Sequence, residues 1–271
     1  MNKAPINDIK RGPLGNCIVL HDFPPVNSST IKDLFEYSVR FFEEKGITPT
    51  KVGLGGKSPA AKGKSNILFK TAKRRLEETH YEGIDGLWIG AMPPIYSQEV
   101  LDALFCVDLD VRESKKNHTM VLCFDDQIVS FQKDHLEQLC TDLASFLKPR
   151  YGYGYQREFK KGPTWYPFGV CVGLGWDDPE ADLLTEWAKK YHTNNRYQTG
   201  DLRDIYPMNL LSEAHKNHVV DGKPFFEWIC EDPQRGRLTS LTEDLWTWWI
   251  ESDSIAMIRE SLGSTGWVIS I

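Results

Sequence analysis

Residues 151–176 read YGYGYQREFKKGPTWYPFGVCVGLGW, and this crowding of aromatic side chains and glycines predicts strands, tight turns and a heavily buried sheet. Across Tyr151–Tyr155 tyrosine alternates with glycine. Successive strand residues point to opposite faces, so the alternation predicts one aromatic face and one bare face open to close approach by a neighbouring backbone or ring. Val170 to Trp176 reads as a further strand.

Immediately upstream, Leu136, Leu139, Cys140, Leu143, Phe146 and Leu147 recur at helical spacing, which predicts a helix over 133–148 stopped by Pro149. Thr119 to Phe124 reads as a strand and Asp125-Asp126 as a turn, so strand, turn, helix and strand follow one another up to Tyr155. Towards the amino end, Asn16 to Phe23 is a short apolar run ended by Pro24-Pro25. Thr30 and Asp33 then give a capping-box signal for a helix with Ile31, Leu34, Phe35, Val39 and Phe42 on one face. Thr50 to Gly55 is read as a strand, Ile67 to Glu78 as a helix, Leu87 to Ala91 as an apolar strand, and Leu104 to Val111 as the hairpin partner of Thr119 to Phe124.

Towards the carboxyl end, Asp178-Pro179 starts a helix that carries Ala181, Leu184, Trp187, Ala188 and Tyr191 on one face. A polar tract, Asp201 to Asn209, leads into short helical material around 210–218 and 224–230. Gly236 to Leu241, Leu245 to Ile250, a helix with Ile255, Ile258 and Leu262, and Gly266 to Ile271 then repeat the order seen around residues 121–155. The expectation is an α+β protein with mostly antiparallel sheet, helices on one face, and two related ferredoxin-like halves, 1–150 and 151–271.

The chain has 271 residues and a formal net charge of -6, from 38 acidic and 32 basic residues, which disfavours direct nucleic-acid binding and suits a basic partner. Six cysteines stand no closer than 17 apart, so CxxC redox and zinc-ribbon spacing are excluded and buried thiols in a reducing cytosol are expected. The first residues carry no apolar stretch of signal-peptide type, and no run has the length of a membrane span. A cytoplasmic location without a membrane partner is expected.

Gly55 to Ser65, with Lys57, Lys62 and Lys64, resembles a phosphate cradle in composition, but P-loop spacing fails because Ser58 and Lys51 stand where glycine is needed. His215 and His218, three apart with Asp204 and Glu213 near, could face one ion on a helix; their polar setting reads instead as exposed side chains. Asp108 with Asp110 and Asp125 with Asp126 read as a wet strand face and a turn. No Gly-x-Ser-x-Gly elbow occurs, so no catalytic residue, metal ligand or cofactor is assigned. Trp246 and Trp248 fall on one strand face and Trp249 on the other. The acidic cluster Asp177, Asp178, Glu180 and Asp182, together with the aromatic pair Trp165 and Tyr166, forms the candidate partner-binding set.

In the tracts 151–176, 201–209 and 245–271 the chain resembles bacterial immunity proteins of polymorphic toxin and type VI secretion systems, and within them the immunity protein 52 family. That resemblance implies a cytosolic α+β protein that neutralises a cognate toxin, often a nuclease, by stoichiometric binding and without catalytic residues. The alternative is an enzyme or binding protein for a phosphorylated or nucleotide ligand held by the Gly55 to Ser65 loop.

Overall fold

The computed structural model describes residues 14–63, 66–91, 105–110, 118–170, 179–193 and 196–269. The first part of the chain supplies β1 (Leu14–His21), α1 (Ser28–Glu44), β2 (Lys51–Gly56), β3 (Ile67–Leu68), α2 (Phe69–Glu78) and β4 (Ile84–Ala91). It continues with β5 (Phe105–Asp110), β6 (Thr119–Asp125), α3 (Lys133–Leu147) and β7 (Tyr151–Glu158). The remainder supplies α4 (Pro179–Thr193), β8 (Met208–Ser212), α5 (Glu213–Lys216), β9 (Val219–Val220), β10 (Lys223–Pro224) and α6 (Phe225–Glu231). It ends with β11 (Arg237–Ser240), β12 (Leu245–Trp249) and α7 (Ile255–Gly263).

Ten of these strands form one sheet in the order β11-β12-β8-β7-β1-β6-β5-β4-β2-β3, while β9 and β10 pair separately. Neighbours along the sheet pair antiparallel, and β7 carries it past residue 150 by pairing with both β1 and β8. The fold is therefore α+β, with mostly antiparallel sheet.

Strand alternation divides the core into two layers. Ile18, Leu20, Met120, Leu122, Phe124, Met208 and Leu210 face α1, α2 and α3. Cys17, Val19, Val121, Cys123 and the three tyrosines of β7 face the opposite layer, where Trp187 of α4, Trp228 of α6 and Ile258 of α7 cover them. α1, α2 and α3 thus lie on one side of the sheet, and α4, α6 and α7 on the other.

The tyrosine-glycine alternation works as read. A Cβ at Gly152 would stand 2.6 Å from the Val19 carbonyl oxygen, 3.0 Å from Leu20 Cδ2 and 3.2 Å from Leu210 Cβ, so the bare face is what lets β1 and β8 close over β7. At Gly154 the nearest atom is the Met208 methyl at 3.0 Å, the far end of a flexible side chain. Gly152→Ala is therefore expected to lower the unfolding free energy by about 2 kcal/mol and Gly154→Ala by less than half of that, measured by urea denaturation.

Several local expectations are corrected. The α1 cap is Asn27, whose Oδ1 accepts from the Thr30 N–H at 2.9 Å, rather than Thr30 with Asp33. Ile67 and Leu68 pair with β2 as a two-residue edge strand, and the helix starts at Phe69. Of the terminal strand read over 266–271, the described part forms one parallel bridge, Leu202 with Val268, flanked by Leu202 N–H to Trp267 O at 2.9 Å and Ile269 N–H to Leu202 O at 2.8 Å. Of the strand read over 170–176, only Val170 lies within the described residues.

Candidate functional site

After β7 the chain turns through residues 159–170 and lies against α4. The Tyr155 hydroxyl donates to the Pro163 carbonyl at 2.6 Å, fixing the turn to the strand it leaves. At Gly169, with φ +70, a Cβ would stand 2.6 Å from the Ala188 Cβ, so both the left-handed backbone and the contact with α4 require glycine. Arg157 joins the layers: its guanidinium lies 4.7 Å from the Tyr166 ring centre and pairs with Glu180 at the start of α4. Lys161 Nζ reaches the other Glu180 oxygen at 3.3 Å. Partial burial acts to raise the Glu180 carboxyl, but the Arg157 and Lys161 bonds outweigh it and hold the group below its usual range.

Beneath this layer sits Arg203, a fully buried cation. Its Nη1 donates to the Tyr153 hydroxyl at 2.6 Å and its Nη2 to the Tyr166 carbonyl at 2.9 Å, while its backbone N–H donates to the Tyr151 hydroxyl at 2.9 Å. The guanidinium carbon stands 3.6 Å from the Trp187 ring centre, 4.1 Å from that of Tyr166 and 5.5 Å from that of Tyr153. Among the described residues no carboxylate pairs with it; ring faces, phenol oxygens and a carbonyl accommodate the charge instead. Tyr206 stacks on Tyr153 at 4.2 Å and shares a 3.0 Å hydroxyl contact with Tyr166. Burial pushes the phenols of Tyr151, Tyr155 and Tyr206 well above their usual range, so they remain neutral hydrogen-bonding groups. Arg203, Tyr151, Tyr153, Tyr206 and Trp187 are buried, and the cluster ties residues 159–170 and α4 to the sheet.

The turn and α4 expose large apolar side chains beside charged ones. Trp165 is 44% exposed, Val170 40% and Leu183 65%, and these account for three of the six large apolar side chains exposed among the described residues. Asp182 is exposed beside Leu183 in α4, while Tyr166 and Glu180 are half-buried. Arg157 links Tyr166 to Glu180 directly, while Trp165 and Asp182 are exposed on the turn and on α4 respectively. Asp177 and Asp178 lie outside the described residues.

The basic loop is a different matter. Lys57 and Lys62 are exposed, and Lys64 lies outside the described residues. The N–H groups of Ser58, Ala61 and Lys62 donate to Gly83, Ser58 and Pro59 carbonyls, and that of Ala60 to the Ser58 hydroxyl, so these donors are turned inward rather than towards an anion.

The expectation of exposed histidines at 215 and 218 is overturned at His215, which is fully buried. Its Nδ1 accepts from the Ser212 N–H at 3.0 Å in the capping of α5, a single turn folded inward against Tyr151. Burial, with help from His218, lowers its pKa to about 3. His218 donates through Nε2 to the Gly200 carbonyl at 2.9 Å and stacks on Trp267. The two imidazoles serve separate structural bonds, and no group of three potential ligands that could hold a metal is found among the described residues. Asp125 accepts from the Gln127 N–H in the expected turn, and Trp248 is buried with Trp246 on its face of β12.

No family model and no curated protein matches the chain. Among solved structures it is similar to one described as "Pseudomonas aeruginosa T6SS protein PA0821", with a TM-score of 0.58 and 10% sequence identity, over 94% of this chain and 73% of that one. At that identity the likeness is one of fold: this chain has the architecture of a T6SS protein from Pseudomonas aeruginosa.

Proposed function

We propose that the chain is a cytosolic immunity protein that neutralises a cognate bacterial toxin by one-to-one binding through the layer formed by residues 159–170 and α4. The observation that carries this reading is the exposed set Trp165, Val170 and Leu183 on a layer pinned from below by Arg203. Aromatic and aliphatic anchors held in place before contact lose little freedom on binding, and such anchors dominate interface energies. Asp182, exposed on the same layer, and the net charge of -6 favour a basic partner, whose approach they would steer. A nuclease toxin fits, since its active site must attract phosphate. The fold shared with a T6SS protein supports a role in that setting. The mechanism is occlusion and requires no cofactor or catalytic group.

Co-expression with the protein encoded by the adjacent gene tests the reading. Rescue of growth and a one-to-one complex are expected, and association should slow about tenfold when salt rises from low to molar concentration. Unrelieved toxicity with no complex would overturn it.

A further inference from the structure

The geometry points to Cys17 and Cys123 as a cross-strand pair that forms a disulfide when the chain folds against a disulfide oxidant, stapling β1 to β6 at the centre of the sheet. The two residues are direct partners in the β1–β6 register. Backbone bonds at either end of that ladder, Asp22 N–H to His118 O at 3.0 Å and Asp126 N–H to Leu14 O at 3.1 Å, set its alternation. Even-numbered residues of β1 exchange hydrogen bonds with β6, which puts Cys17 and Cys123 at a non-hydrogen-bonded position. There facing Cα atoms stand about 4.5 Å apart and side chains approach most closely, inside the roughly 4.4–6.8 Å range of disulfides. Both side chains are buried in the same layer of the core. Cys140 lies in the opposite layer, and Cys230 is exposed on α6.

Both cysteines are present as thiols in the structure, and neither is open to solvent. The reaction therefore belongs to the unfolded or opened chain. One cysteine thiolate attacks a sulfur of glutathione disulfide, its S–S bond breaks, and one glutathione thiolate leaves. The second cysteine thiolate then attacks the protein-bound sulfur of this mixed disulfide and expels the second glutathione. Two protein thiols are oxidised, one glutathione disulfide is reduced to two glutathione molecules, and the two thiol protons pass to them. Closure of the β1–β6 ladder brings the second sulfur to the first and excludes the bulky adduct, so folding drives the exchange to the internal bond.

The test is refolding from denaturant in a buffer of glutathione disulfide, with the unreduced protein then digested and its peptides mapped by mass. Because Cys106 is the Cα partner of Cys123 on β5, the map is made on wild type and on a Cys106→Ala variant. A peptide carrying Cys17 joined to one carrying Cys123 is expected in both, with a mass lower by two hydrogens. Closing a loop of about 105 residues should raise Tm by roughly 10 °C over the reduced protein. Protein kept folded throughout should oxidise far more slowly than refolding chain. Separate thiols, lasting glutathione adducts or a Cys106–Cys123 link in the refolded wild type would overturn the proposal. Should Cys106→Ala fail to fold, the wild-type map alone decides.

Discussion

Arg203→Ala is expected to lower the unfolding free energy by about 4 kcal/mol and to release residues 159–170 and α4 from the sheet. Truncation removes a buried side chain in contact with Trp187, Tyr166 and Tyr153, and leaves the Tyr153 hydroxyl and Tyr166 carbonyl without the donors that now reach them. Each buried polar group deprived of its bond costs about 1–3 kcal/mol, and the cavity adds to that. Arg203→Lys keeps the charge but not the planar fork that donates in two directions, so it should fall between wild type and alanine. Arg203→Met fills most of the volume and should cost less than alanine, since a charge removed together with its desolvation penalty is partly self-compensating. Urea denaturation ranks the three variants, and limited proteolysis within residues 159–170 reports the released layer. Equal stability of all three with wild type would mean that the guanidinium bonds contribute nothing.

The second large effect is acid lability. His21 and His215 are both buried, and burial lowers both pKa values, that of His215 to about 3; the Arg203 charge adds to the depression at His21. In the unfolded chain both titrate near 6.5. Below that pH the unfolded state binds protons that the native state refuses, so stability falls as pH falls, and for His215 the loss continues down to about 3. Between pH 6.5 and 5 the His215 imidazole should remove about 1.5 kcal/mol, and His21 adds to the loss in the same direction. The lowered carboxyl of Glu180 works in the same direction but only nearer its own range, so the upper window belongs to the histidines. His215→Asn can still accept from the Ser212 N–H but does not titrate, and should remove about 1.5 kcal/mol of the stability loss across that window. An unchanged slope would show that His215 is protonated in the folded protein.

What the sequence disclosed and what it hid follow the range of the interactions involved. The Tyr151–Tyr155 alternation fixes which side chains share a face, because that is local backbone geometry, and the helix read over 133–148 is observed over Lys133–Leu147. The sheet order is not local. Nothing in β7 alone says that β1 and β8 will flank it, although the space above Gly152 and Gly154 requires close neighbours. Three buried phenols on one face imply a need for hydrogen-bond partners, and that was the available signal for Arg203 in the polar tract 201–209. His215 looked exposed because its neighbours are polar; its burial comes from the turn of α5 into Tyr151, which single-sequence patterning does not encode. Of the candidate surface, Trp165, Tyr166, Glu180 and Asp182 are readable as residue types, while the contact of Tyr166 with Glu180 is made through Arg157 across distant segments.

If the protein acts by presenting the 159–170 and α4 layer to another protein, the affinity of the neighbouring-gene product must depend on that layer's exposed side chains. The deciding comparison is its binding to wild type and to the double variant Trp165→Ala, Leu183→Asp, with Tm recorded for both. Both side chains are exposed, so Tm should move by less than about 3 °C, while the loss of two anchors should weaken binding at least about a hundredfold. A double variant that binds as tightly as wild type, at the same Tm, would mean that this layer is not the binding surface.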